Sequence, residues 1–209
     1  MARLVPRSSN FTTGLIMQIN VGTTPGQAAS AEIAIDSFGN AIGGIPTYSV
    51  VASDLIPIAT ATDIFQLVGS ATKTIKITRI EMSADSNGAA EVDFYGYKRT
   101  TANTGGTITH PTPTKYDSLN SDPTAVVNQY SANPTTLGTG TLFAATQFVC
   151  PSALTGSGIP IFPIDTSFGI RNNQALILRG VNESISISLG GNAIPDGLTI
   201  YLTIEWTEE

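Results

Sequence analysis

The chain has 209 residues, only 12% of them charged, with a net charge of −6 and a pI near 4.7. Its ten Lys and Arg residues are scattered, which excludes the clustered basic surface that phosphate-backbone binding requires. A single cysteine excludes an intrachain disulfide, and no apolar run reaches the length of a membrane-spanning helix.

Residues 1–48 have weak periodicity and are rich in Ala, Gly, Thr, Ser and Ile, with prolines at Pro6, Pro25 and Pro46. This composition reads as an extended N-terminal arm. Leu4-Val5-Pro6-Arg7-Ser8 is similar to a protease-site linker, with Ser where such linkers carry Gly; a native arm is the preferred reading. The apolar residues Phe11, Leu15, Ile16 and Met17 are its expected anchors, because a short apolar cluster in a Thr- and Gly-rich stretch gains most from being covered by a partner. No continuous apolar core of a secretory signal is present here, so synthesis and assembly in the cytoplasm are expected.

From Thr47 onward strand signals recur. Tyr48 to Asp54 is β-rich, Asp63 to Val68 follows, and Lys73 to Ser83 alternates until its parity breaks near Thr78-Arg79, which predicts a bulge. Asn87-Gly88 predicts a tight turn at positive φ, with Glu91 to Arg99 returning as the partner strand. Thr100 to Asp122 is a long polar connection containing Pro111 and Pro113, of the kind that is functional or disordered. Further strands are expected at Ala125 to Tyr130, Thr139 to Val149, Ile159 to Ile164, Ala175 to Arg179, Ser184 to Leu189 and Leu198 to Trp206. The last two alternate on both arms and read as a hairpin. Ile185, Ile187, Leu189, Leu198, Ile200, Leu202 and Ile204 share the parity expected to face a core, and Trp206 joins them. Some eight to ten short strands without a helix predict an all-β, antiparallel two-sheet sandwich, jelly-roll-like, over residues 49–209.

The chemistry-bearing residues do not form a catalytic constellation. His110 is the only histidine, lies in a Thr-rich loop and has no nucleophile elbow to accompany it. One His and one Cys do not supply a zinc site, and Cys150, flanked by Phe148, Val149 and Pro151, reads as a buried small hydrophobe. Asp85-Ser86-Asn87-Gly88 and Asp36-Ser37-Phe38-Gly39-Asn40 read as Asx-type turns, since both lack the remaining acidic ligands of a calcium loop. Glu81, Glu91 and Asp93 are carboxylates on strands, where the solvated parity is the ordinary place for them. Lys98-Arg99 reads as a solvated strand end, and Phe94-Tyr95-Gly96-Tyr97 splits its rings between two faces, with core packing the preferred reading over a partner- or sugar-binding face. No catalytic residue, cofactor or metal is therefore expected, and the chain is read as a non-enzyme.

The segment from Ala61 through Ile64-Phe65-Gln66-Leu67-Val68 to Ile80, together with Leu176-Ile177-Leu178-Arg179-Gly180 and the ending Ile204-Glu205-Trp206, resembles small virion structural proteins of tailed bacteriophages. Within that group the chain is most similar to capsid decoration, or cement, proteins. The resemblance implies a β-sandwich module, a homotrimer, that binds neighbouring subunits of the major capsid protein on the outer head surface after assembly in the host cytoplasm. A surface poor in charge suits such subunit contacts, because Ser, Thr and Asn are desolvated at far lower cost than Lys or Glu. The alternative is a tail- or fibre-associated adsorption module that presents the Thr100 to Asp122 loop to a host carbohydrate.

Overall fold

The computed structural model describes residues 3–4, 15–20, 30–35, 45–150, 163–169 and 174–209. The chain divides into two units, Met1–Ile45 and Pro46–Glu209. In the first, β1 (Arg3–Leu4), β2 (Leu15–Asn20) and β3 (Ser30–Ile35) form an antiparallel sheet in that order. The segment read from composition as an extended arm thus contains paired strands. Leu15, Ile16 and Met17 lie on β2 opposite Ile35, Ala34 and Ile33, while Phe11 lies outside the described residues.

The second unit is all-β. Its strands are β4 (Thr47–Leu55), β5 (Asp63–Val68), β6 (Thr74–Asp85), β7 (Ala90–Arg99), β8 (Thr107–Thr109), β9 (Thr114–Lys115), β10 (Val126–Ala132), β11 (Gly140–Cys150), β12 (Ile164–Ser167), β13 (Leu176–Arg179), β14 (Ser184–Ser188) and β15 (Thr199–Glu208). One sheet runs β11-β7-β14-β5-β10-β8 and the other β12-β6-β15-β4-β9, with β13 also on β6. The pairs are nested: β4 with β15, β5 with β14, β6 with β12 and β13, and β7 with β11, all antiparallel. A long folded hairpin wound so that successive pairs alternate between two sheets is the jelly-roll arrangement. The strands β8, β9 and β10 arise from the long connection between β7 and β11 and extend both sheets.

Alternation decides which side chains meet between the sheets. On β15, Ile200, Leu202, Ile204 and Trp206 are buried, and the Trp206 ring stacks on Tyr48 with centroids 5.8 Å apart. Ile185, Ile187, Leu189 and Leu198 are buried with them, as expected. The parity break in β6 is a bulge: Glu205 faces Arg79 and Trp206 faces Ile77, so Thr78 is the extra residue.

Two pairings expected from sequence are corrected. Strands β14 and β15 belong to opposite sheets, as do β6 and β7, so neither pair is a hairpin. Alternation reports the face a strand buries; it does not report the neighbour, and strands that close on one core from opposite sides carry the same pattern as hairpin arms. Gly88 accordingly is not at positive φ. The connection between β6 and β7 crosses from sheet to sheet, held by Asn87, whose amide donates to the Asp196 carbonyl at 3.0 Å.

Candidate functional site

The connection between β7 and β11 is fixed by a buried polar network on the outer side of β14, β5 and β7. Asp63 and Arg99, both buried, form a two-point ion pair: Nη2 to Oδ1 at 2.6 Å and Nε to Oδ2 at 2.7 Å. Arg99 also donates to Ser186 Oγ and to the Gly138 carbonyl. Asn103 donates to Asp63 at 2.8 Å and accepts from the Gly138 amide. Gln66 donates to Ser184 Oγ and accepts from Tyr130 and Asn128. Burial raises the Tyr130 phenol above its ordinary pKa. Every strand position of β14 is consequently buried, serines included, because the inserted chain covers the face that alternation assigned to solvent. A second clamp holds the middle of the insertion. The buried Glu208 carboxylate accepts from the Thr124 and Ala125 amides, the Thr124 hydroxyl and Trp206 Nε1.

The outer face of the other sheet is open. Its outward row on β4 and β15 comprises Val51, Ser53, Thr199, Tyr201 and Thr203, with Val51 58% exposed and Ile56 beyond the strand 73% exposed. Hydroxyl and methyl groups dominate this row, beside the Asp54 carboxylate that accepts from the Tyr201 hydroxyl at 2.9 Å, and the largest charged cluster of the sheet lies on β6. There Arg79 meets Glu81 at 2.7 Å, Asp165 at 3.0 Å and Glu205 at 3.5 Å. The hydrogen bonds from Arg79 hold the Asp165 carboxyl below its ordinary range. One cation bridges three carboxylates here, a structural tie between β6, β12 and β15.

Two features mark the margin of the first sheet. Tyr95 and Tyr97 stand on its outer face with centroids 6.4 Å apart and planes at 41°. Arg99 covers one face of Tyr97 from 4.9 Å, and Asp93 accepts from Tyr95 and Gln147 at 3.4 Å. Between the sheets, where β11 and β12 end them, lies a cleft of about 430 Å³ lined by Phe94, Phe143, Phe168, Ile80, Met82 and Ile164. Phe143 and Phe168 meet edge to face across it at 6.2 Å.

The residues singled out in the sequence are dispersed. His110 donates from Nδ1 to the Val127 carbonyl at 2.8 Å. Glu81 faces outward on β6, whereas Glu91 and Asp93 lie on β7 in the opposite sheet, so the sandwich keeps the three carboxylates from assembling. Cys150 is fully buried, which pushes its thiol up to about 11. Ser86 and Asn87 make turn contacts, with Asn87 Nδ2 donating to Asp196 at 2.8 Å. The segment Asp36 to Asn40 lies outside the described residues. Among the described residues no three His, Cys, Asp or Glu gather as metal ligands would.

One expectation is reversed: Arg99, read as part of a solvated strand end, is buried, because the inserted chain closes over it and Asp63 neutralises it. Lys98 beside it stays half exposed and pairs with Glu183. Sequence reasoning missed the whole Asp63–Arg99–Asn103 network. Its signal was an acid opening β5 and a base closing β7, which chain separation hid. Comparison with protein-family models, with curated proteins and with solved structures gives no match.

Proposed function

We propose that this chain is a non-enzymatic virion structural protein that decorates a bacteriophage capsid, binding as an oligomer across neighbouring subunits of the major capsid protein on the outer head surface. The observation that carries this reading is the open outer face of β4 and β15. It is rich in hydroxyls, bears the exposed Val51, Tyr201 and Ile56, and holds its charged groups in local contacts, Arg79 with Glu81, Asp165 and Glu205, Lys76 with Glu209, and Asp54 with the Tyr201 hydroxyl. Such a face is covered by a protein partner at little desolvation cost. The residues of the first unit, with Phe11, Leu15, Ile16 and Met17 as anchors, supply the second contact. For that oligomer the family resemblance implies three copies. Deleting residues 1–20 is expected to leave the sandwich folded and to weaken attachment to isolated capsids in a co-sedimentation assay. Undiminished binding by the truncated chain would remove the arm from the mechanism.

A second reading, an adsorption module for host carbohydrate, is favoured by the Tyr95 and Tyr97 rings beside the Asp93 carboxylate and Gln147 amide, since sugars stack on aromatic faces and hydrogen-bond to such groups. Binding to a glycan array that is lost in Tyr95→Ala would support it over the capsid reading.

A further inference from the structure

The edges of the two sheets are guarded unequally. Among the described residues, β8, β9, β12 and β13 end their sheets with three, two, four and four residues. Strands this short offer little backbone for pairing. Strand β11 ends the first sheet with eleven residues, Gly-Thr-Leu-Phe-Ala-Ala-Thr-Gln-Phe-Val-Cys, without one charge or proline. It pairs with β7 on one side and has no ladder on the other among the described residues. Leu142 and Val149 on it are 49% and 67% exposed. A single irregularity, at Phe143, is the only device of the kind that blunts an edge. The apolar cleft opens beside the same strand, with Phe143 to Thr146 forming one of its walls.

We propose that the β11 edge is an interface for a second copy of this chain, whose own β11 pairs with it antiparallel about a two-fold axis and joins the two first sheets into one. Amides and carbonyls that no described strand pairs call for an extended polypeptide, and the composition of the strand selects which one. Two copies of a chain with net charge −6 repel one another, yet β11 brings no charge of its own opposite its symmetry mate, and the two strands match in length. An isologous contact of this kind closes on itself, where an unmatched edge would grow without limit. The added strand also sets its inward side chains beside the Phe143 and Phe168 rings, covering the open side of each cleft. This inference is independent of the capsid reading. It predicts an even copy number built on a two-fold contact, where the family resemblance implies three.

The test places charge on the outward parity of β11. Full-length wild type is expected to sediment as a dimer. The double variant Leu142→Lys/Ala145→Lys, with an unchanged circular dichroism spectrum, is expected to associate about tenfold or more weakly, because like charges then face each other across the new pairing. The Leu142→Glu/Ala145→Glu variant is expected to behave likewise, and an equimolar mixture of the two to recover association. Amides of residues 140–150 are expected to gain hydrogen-exchange protection as wild-type concentration rises. A monomeric wild type, an oligomer indifferent to both variants, or β11 amides whose exchange ignores concentration would overturn the proposal.

Discussion

Arg99 illustrates how one residue sets the behaviour of a segment far from it in sequence. Its guanidinium satisfies Asp63, Ser186 and the Gly138 carbonyl at once, so the strand ending at Arg99 and the return into β11 are tied at a single point. Removing one partner of a buried pair leaves an uncompensated charge, which costs about 3–5 kcal/mol, whereas exchanging both for apolar residues is often close to neutral. Asp63→Ala is therefore expected to lower the unfolding free energy by about that amount in a denaturant titration, and Asp63→Leu/Arg99→Met to recover much of the loss. Equal destabilisation by both would deny the pair its role. Tyr130, in the same network, gives a pH signature. Its folded pKa is raised by burial, so its contribution is fully present below the unfolded value of about 10 and is lost as pH rises through the folded one. Tyr130→Phe should show a shallower alkaline fall in melting temperature than the wild type; parallel curves would assign that fall to other groups.

At the level of elements, two glycines separate packing from turn chemistry. Gly69 follows β5 and donates its amide to the Glu183 carbonyl at 2.8 Å. A Cβ there would stand 2.5 Å from the Gly180 carbonyl oxygen and 3.2 Å from that of Glu183. These are backbone atoms that do not swing aside, so Gly69→Ala is expected to cost about 1–3 kcal/mol. Gly88, which the Asn-Gly pattern marks as indispensable for a tight turn, has ordinary φ, and a Cβ added to it would meet nothing within 4 Å. Gly88→Ala should be neutral or stabilise by about 0.4–1 kcal/mol through the unfolded chain. Thermal melts of the two variants check both statements, and a damaging Gly88→Ala would restore the hairpin reading. Most of the long strands were legible: β5 matches its expected bounds, and the Thr78 bulge followed from parity alone, whereas β8 and β9 lie in the stretch read as a loop and the strand expected at Ile159 to Ile164 falls largely outside the described residues. Their partners were not, because a period of two reports burial and is silent on which strand lies alongside.

For the whole molecule, the two-sheet sandwich was legible because hydrophobic alternation over short strands admits few other architectures. The covering of β14 was hidden for the opposite reason. Ser184, Ser186 and Ser188 look solvated in sequence, and only the fold of the inserted segment, pinned through Asn103 and Gly138, turns that face into interior. The surfaces that carry the functional reading, the open face of β4 and β15 and the β11 edge, are properties of what the fold leaves uncovered, and no local pattern encodes that. The capsid reading makes a claim about location. Electron microscopy of intact virions, labelled with an antibody to the sandwich, tests it most directly. Density is expected on the outer head surface, lying across the junctions of neighbouring capsid subunits; label confined to the tail or fibre tips, or absent from the particle, would refute the decoration role.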